Sequence, residues 1–145
     1  MRDLFSQILV KRGFDPVVLT NADTAQVSAI IDTQGFEALM FVIATGVLTD
    51  ANATFTALLE HGEVANLSDA AAVPANTVLG SAVAASFQFG DDQQVRKIGY
   101  RCSTGKRYVR LTVTPSGNDS GAAPLACVAL LGRSARTPTL TQADA

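Results

Sequence analysis

Short runs of β-branched and other apolar residues recur along this 145-residue sequence, and each run ends at a cluster of turn-forming residues. The runs follow one another about every ten residues, and most of them alternate apolar with polar positions, as half-buried strands do. The run from Phe36 to Gly46 differs because it is apolar at both odd and even positions after Glu37, which predicts a central strand covered on both faces. Seven or eight such strands predict an all-β single domain, either a β-sandwich or a jelly roll.

Turn signals between the runs predict two hairpins. The sequence LTDAN separates the Phe36–Gly46 run from the alternating run ATFTALLEHG and predicts that these two strands pair. Thr104-Gly105 predicts a second hairpin. Each strand of that hairpin has one apolar row, formed by Ile98, Tyr100 and Cys102 before the turn and by Val109, Leu111 and Val113 after it. The Ala-rich stretch 66–86 predicts an irregular connection with short strands near Val78 and from Val83 to Phe89.

The first residues of the chain differ from the strand-type runs. Four apolar residues recur there at helix-like spacing: Leu4, Phe5, Ile8 and Leu9. Gly13 and Pro16 end the pattern, so residues 1–14 are predicted to form an arm or a short amphipathic helix. Residues 15–138 are then the predicted β-sandwich domain, and residues 139–145, which lack a core-building pattern, a flexible C-terminal tail. The N-terminal stretch has no small-residue cleavage site, so no signal peptide is predicted.

The stretch GYRCSTGKRYVRLTVTPSGNDSG contains the groups of a reactive loop, but their spacing excludes the two loops that it resembles. A phosphate-binding loop needs a glycine where Tyr100 stands and a Ser or Thr directly after Lys106. A cysteine-phosphatase loop needs one more residue than the four that separate Cys102 from Arg107. The hairpin interpretation therefore explains the stretch better than a catalytic one.

The remaining chemical side chains do not form a recognisable site. His61 is the single histidine, and Glu60 and Glu63 beside it are typical of a solvated turn. Cys102 and Cys127 are predicted to be free, buried thiols, because no secretory context favours a disulfide. The sequence therefore predicts a protein that is not an enzyme and binds no cofactor or metal. No apolar run reaches the roughly 18 residues of a membrane helix, so no membrane partner is expected.

Charge is distributed unevenly along the chain. Residues 13–95 contain ten acids and no Lys or Arg, whereas residues 96–145 contain eight bases and two acids. Two interpretations remain open: strands that interleave and neutralise one another within one molecule, or surfaces of opposite charge that join neighbouring molecules. Nucleic acid is a disfavoured partner despite the basic stretch around Arg107 and Arg110, because the ten acids would repel phosphates.

Three strand motifs carry a resemblance to a known group of proteins. They are GFEALMFVIATGVLTDANATFTALLEHG, VRKIGYRCSTGKRYVRLTVTPSG and ACVALLGRSARTP, and the resemblance that they carry covers about residues 27–138. In this order they resemble the head-decoration (cement) and related head-accessory proteins of tailed bacteriophages and prophages. The resemblance implies a non-enzymatic virion protein, made in the host cytoplasm and displayed on the capsid surface. Such proteins bind junctions between major capsid subunits, often as trimers, and stabilise the shell.

The resemblance also implies where contacts with the major capsid protein and with other copies of the chain are to be sought. The predicted contact residues are Leu4, Phe5, Ile8, Leu9, Arg107 and Arg110. The alternative in the same setting is a head-fibre or spike base, or a tail-associated subunit, which would be present in fewer copies. A carbohydrate-binding module is disfavoured, because sugar sites use exposed aromatic platforms and this chain has no Trp and two Tyr.

Overall fold

Two antiparallel β-sheets pack face to face in the computed structural model, which describes residues 3–135. The strands are β1 (Ile8–Arg12), β2 (Val17–Thr20), β3 (Gln26–Val27), β4 (Ile31–Asp32), β5 (Phe36–Thr45), β6 (Thr54–Gly62), β7 (Ala71–Ala72), β8 (Val78–Leu79), β9 (Phe87–Gln88), β10 (Val95–Arg101), β11 (Tyr108–Ser116) and β12 (Ala122–Ser134). A four-residue helix, α1 (Ala82–Ala85), and 3₁₀ turns at Phe5–Gln7 and Phe89–Asp91 complete the described elements. The predicted all-β sandwich is confirmed, although the described residues form twelve strands, several of them only two residues long, where seven or eight were predicted.

Each sheet contains six strands. Sheet A has the order β1-β12-β5-β10-β8, and β2 lies beside the first part of β12. Sheet B has the order β3-β11-β6-β7, with β4 paired to β11 and β9 paired to β6. The long strands β5 and β12 pair over most of their length, and β5 lies in the middle of sheet A as predicted.

The core lies between the sheets and is built by strict alternation along the long strands. From sheet A, β5 contributes Leu39, Phe41 and Ile43. From sheet B, β11 contributes Val109, Leu111 and Val113, all fully buried. Burying side chains of this size stabilises the fold by about 1.5–3 kcal/mol each. The core is therefore a two-layer apolar interior that needs no cross-link.

Both predicted hairpins are wrong. β5 and β6 lie in opposite sheets, and so do β10 and β11, although each pair is consecutive in the chain. Ile98 of β10 instead lies opposite Phe41 of β5, and Leu111 of β11 lies opposite Leu59 of β6. The predicted apolar rows are correct, but a strand presents its apolar row to the core in the same way whether its neighbour in sequence pairs with it or faces it across the core.

The N-terminal segment also differs from its prediction. Residues Phe5–Gln7 form a single 3₁₀ turn, and Ile8–Arg12 form strand β1, which pairs with β12 and is part of sheet A. A helix over these residues is therefore wrong. The helix-like spacing misleads because both faces of β1 carry apolar side chains, with Leu9 in the core and Val10 on the opposite face. The predicted tail, residues 139–145, lies outside the described residues.

The connection before β10 is largely irregular, as predicted. The short strand expected near Val78 is present as β8, which pairs with β10. The stretch expected as strand from Val83 to Phe89 divides into α1, strand β9 and the start of a 3₁₀ turn. Ser81 explains the helical turn, because its side-chain oxygen accepts a hydrogen bond from the Ala84 N–H at 3.0 Å and caps α1.

Candidate protein-interaction surface

The outer face of sheet B is polar. Thr114 lies opposite Thr56, Ser116 opposite Thr54, and Arg110 opposite Glu60. A hydroxyl-rich face with ion pairs is what a sheet shows when one side packs on the core and the other meets water. Sheet B therefore has the expected alternation of apolar interior and polar exterior.

The outer face of sheet A is apolar. One row crosses all five paired strands, from Leu79 through Gly99, Met40 and Leu130 to Val10. The rows on either side continue it with mostly small or apolar side chains: Ala38, Val42, Ala44, Val95, Ala126, Val128, Gly132 and Ile8. In the described part of the chain, no acidic side chain stands on the outward positions of these strands. Leu79 and Val128 are 43% and 41% exposed, so this face meets solvent in the single chain.

The middle of this face is concave. A groove of about 640 Å³, here called the sheet A groove, is lined by Ile8, Met40, Leu79 and Leu130 around the small residues Ala38, Gly99 and Gly132. A Cβ added at Gly132 would meet nothing within 4 Å, so the floor of the groove is open there. Large side chains around a floor of small ones form a cavity that can receive apolar side chains.

The groove has a positive margin along β10. Lys97 and Arg101 are exposed on the outward positions of this strand, and neither forms an ion pair with a described residue. On the opposite edge, Arg12 pairs with Asp15 at 3.1 Å, and both side chains are exposed. An apolar groove with Lys97 and Arg101 at its edge, here called the basic margin, complements an apolar partner that carries acidic groups.

Three of the predicted contact residues lie at or near this surface. Leu4 and Phe5 are 73% and 80% exposed, and Ile8 forms a wall of the sheet A groove. Leu9 is 3% exposed and packs in the core. The prediction that Leu9 contacts a partner is wrong. Leu9 follows Ile8 on β1, so its side chain lies on the opposite face of the strand and points into the sandwich.

Arg107 and Arg110 are not part of the groove lining, and each has an acidic partner in the same chain. Arg107 donates two hydrogen bonds to Asp32, at 2.8 and 2.7 Å, and its guanidinium lies 5.0 Å from the ring centre of Tyr108. Arg110 Nε lies 2.7 Å from Glu60 Oε2. The hydrogen bonds from Arg107 hold the pKa of Asp32 below its ordinary value.

Ion pairs account for much of the uneven charge along the chain. Arg96 pairs with Asp91 at 2.8 Å and Arg133 pairs with Glu37 at 3.1 Å, in addition to the pairs of Arg107 and Arg110. All four bases come from the basic last part of the sequence, and all four acids come from the acidic first part. The structure therefore shows the interleaved arrangement, which follows from non-local pairing in a sandwich.

The stretch that resembled a reactive loop is a structural corner between the sheets. His61 Nδ1 lies 2.8 Å from the hydroxyl of Tyr100, which donates a hydrogen bond to the Lys106 carbonyl at 2.8 Å. His61 is 6% exposed and Tyr100 is fully buried, and Gly105 packs against the Tyr100 ring. Burial raises the pKa of Tyr100 and lowers that of His61, so both side chains are neutral near pH 7.

The thiols are poorly suited to nucleophilic chemistry. Cys102 and Cys127 are both free, as predicted; Cys127 is buried, whereas Cys102 is only partly buried. Burial raises the pKa of Cys102 above its ordinary value and raises the pKa of Cys127 to about 12. Within residues 3–135, no group of three or more His, Cys, Asp or Glu side chains is placed to hold a metal ion. No helix in that range is both long enough and apolar enough to cross a membrane.

We expect the free energy of unfolding to decrease as the pH is lowered, because of His61. Its pKa is below the ordinary value of 6.5 in the folded chain. Below pH 6.5 His61 is therefore protonated in the unfolded state while it remains neutral in the folded state. The free energy of unfolding should therefore decrease as pH falls from about 6.5 toward the folded pKa, by up to about 1.4 kcal/mol per pH unit. Urea unfolding measured between about pH 7.5 and 5.5 tests this, above the range in which the paired aspartates titrate.

The variant His61→Gln is the control for that measurement. Glutamine keeps a polar group beside Tyr100 but does not titrate, so its unfolding free energy should be flat over the same pH interval. A wild-type protein with no slope, or a variant that keeps the wild-type slope, would show that another group is responsible.

Comparisons with known proteins identify no family for this chain. No protein family matches the chain, and no curated protein matches it either. Among solved structures, the chain is similar to a family two carbohydrate esterase from Cellvibrio japonicus, with 11% identity, a TM-score of 0.43 and coverage of 93% of this chain and 33% of that one. It is also similar to the enzymatically active domain of tailspike protein 4 of bacteriophage CBA120, with 10% identity, a TM-score of 0.48 and coverage of 88% and 20%.

A third similar structure is that of infectious bursal disease virus, Gx strain, with 8% identity, a TM-score of 0.47 and coverage of 91% of this chain and 34% of that one. The chain spans about a third or less of the length of all three structures.

Proposed function

We propose that this chain is a non-enzymatic structural subunit of a phage virion, a decoration protein that binds the outside of the head and stabilises the shell. The observation that carries the proposal is the apolar outer face of sheet A. β5 is apolar on both faces, yet the sandwich covers only the face of Leu39, Phe41 and Ile43. The face of Met40 and Val42 is left for another protein to cover.

The chemistry of the chain favours assembly over catalysis. The side chains that most often carry catalysis, histidine and cysteine, are used here for packing and for the corner between the sheets. His61 is held neutral against Tyr100, and the thiols of Cys102 and Cys127 are protonated near pH 7. The outer face of sheet A, by contrast, has the composition of the centre of a protein interface, apolar and without acidic groups.

The virion setting is supported by the strand motifs that resemble head-decoration and head-accessory proteins. In this setting the partners are the major capsid protein and further copies of the same chain, and the location is the capsid surface. Decoration requires many identical contacts on a repeated surface. An apolar face on the outside of a sheet, exposed in the single chain, suits such contacts.

Copy number tests the proposal. Particles of a phage or prophage that encodes this chain would be purified, and the chain would be quantified against the major capsid protein by gel densitometry and mass spectrometry. A decoration protein should approach the abundance of the major capsid protein. Far fewer copies would point to a head-fibre or spike base or a tail-associated subunit instead, and absence from particles would contradict a virion role.

A further inference from the structure

We propose that the sheet A groove receives Leu4 and Phe5 of a neighbouring copy of the same chain, so that copies join head to tail. Leu4 and Phe5, here called the apolar knob, are among the most exposed large apolar side chains of the described residues, at 73% and 80%. A leucine and a phenylalanine in water are less stable than the same side chains buried against an apolar surface. The knob and the groove are thus two apolar surfaces of one molecule that each need a cover.

The knob does not fill the groove of its own chain. The groove wall on the β1 side is formed by Ile8, whereas Leu4 and Phe5 are not part of the lining. The 3₁₀ turn at Phe5–Gln7 places the knob just before β1, beyond the wall. A knob that stands beside its own groove and remains exposed can enter the groove of a second molecule.

The size of the groove suits this occupant. Its volume of about 640 Å³ falls within the range of roughly 300–1,000 Å³ that pockets for small ligands have, so it can take two apolar side chains together. Its floor at Gly132 lets an aromatic ring approach the sheet backbone, because a Cβ added there would meet nothing within 4 Å, and Met40 and Leu130 offer apolar walls. The rim at Leu79 is 43% exposed and would be covered by the same contact.

Charge gives the contact an orientation. Asp3 directly precedes the knob, and its carboxylate accepts a hydrogen bond from the Ser6 N–H at 2.6 Å, which holds it at the surface of the turn. The basic margin, Lys97 and Arg101, borders the groove and has no acidic partner among the described residues. When the knob of one copy enters the groove of the next, Asp3 comes close to this margin. A packing of two grooves against each other would instead bring two basic margins together.

The contact is heterologous, because knob and groove are different surfaces. Such contacts form a closed ring if the rotation between copies closes, and an open chain if it does not. The inference rests on the proposed function in one respect, that the outer face of sheet A is a protein-binding surface. It adds that the protein which fills the groove is a further copy of this chain.

Sedimentation analysis of the full-length protein over a range of concentrations tests the inference. The double variant Leu4→Ser with Phe5→Ser removes the knob without touching the core, since both side chains are exposed. Gly132→Leu fills the groove, and it should fold because its φ is outside the left-handed region and an added Cβ meets no neighbour within 4 Å. Both variants should weaken self-association at least tenfold. Leu58→Ser, an exposed change on the outer face of sheet B, is the matched control and should leave it unchanged.

Mixing the two variants separates a head-to-tail contact from a symmetric one. The knob-less protein keeps an intact groove, and the Gly132→Leu protein keeps an intact knob, so the mixture should form a one-to-one heterodimer that neither variant forms alone. Native mass spectrometry with one isotope-labelled partner detects it. Absence of the heterodimer, or a wild-type protein that is monomeric at every concentration, would overturn the inference.

Residues 136–145 of the same chain are the alternative occupant. If a variant that ends at Ala135 binds an apolar fluorescent dye that the wild type excludes, and Gly132→Leu abolishes that binding, the segment fills the groove and the inference is wrong. Particle stoichiometry is independent of all these results. A monomeric protein that is abundant on particles would support the proposed function and contradict the head-to-tail contact. An oligomer that is absent from particles would support the contact and contradict the proposed function.

Discussion

Phe41→Ala is expected to lower the free energy of unfolding by about 3–5 kcal/mol, whereas Met40→Ala should lower it by no more than about 1 kcal/mol. The two residues are neighbours on β5 but point to opposite faces of sheet A. Phe41 is 0% exposed between the sheets, so its truncation leaves a cavity that the packed core cannot fill. Met40 faces the groove, where the side chains around it are partly hydrated in the single chain.

Urea unfolding at low protein concentration, where self-association does not contribute, measures both changes. The contrast between the two neighbours is the test. Equal destabilisation would mean that the outer face of sheet A is as tightly covered within one chain as the core is, and the groove would then not be an open surface.

Met40→Asp combined with Leu130→Asp is expected to abolish recruitment of the protein to particles, with a loss of affinity of at least about 100-fold. The two side chains lie directly opposite each other on β5 and β12, in the middle of the apolar row. Covering this row with a partner would bury two carboxylates without a counter-charge, which costs several kcal/mol. In the single chain both carboxylates meet water at the groove, so the monomer should still fold, with a small cost from the repulsion between them.

The measurement adds purified variant to particles that lack the protein and quantifies what stays bound after sedimentation. Leu58→Asp, on the outer face of sheet B, is the matched control because Leu58 is 41% exposed and lies outside the sheet A groove. Circular dichroism confirms that each variant is folded. Normal recruitment of the double variant would show that particles are bound by another surface.

The alternation of the strands could be predicted because it follows directly from backbone geometry. Side chains alternate between the faces of any strand, so the rows containing Ile98 and Tyr100, and Val109, Leu111 and Val113, were assignable before any partner strand was known. The pairing of those rows could not be assigned. The corner at Thr104-Gly105 connects two sheets instead of two paired strands. Its geometry depends on Tyr100 of sheet A, whose hydroxyl donates a hydrogen bond to the Lys106 carbonyl in the corner and also contacts His61 of sheet B.

The sequence alone indicates the interaction surface only indirectly, through a strand that is apolar on both faces. The run from Phe36 to Gly46 is apolar on both faces, and this pattern predicts that both faces are covered. In the structure, sheet B covers one face of this strand and the other face stays open. The order of residues within the strand cannot show this, because it depends on where the other strands pack. Gly132 and Gly99 could not be predicted as a groove floor for the same reason, since they become neighbours of Ala38 and Met40 only through strand pairing.

The sequence by itself determined that this chain forms a β-sandwich and which residues of its long strands face the core, because strand periodicity and turn chemistry are local properties of the chain. Tertiary structure decided the rest. It placed Arg107 and Arg110 in ion pairs with Asp32 and Glu60, buried Leu9 while leaving Leu4 and Phe5 exposed, and brought the apolar row of five strands together on one outer face. These outcomes depend on contacts between residues far apart in sequence, and only the packing of the two sheets specifies them.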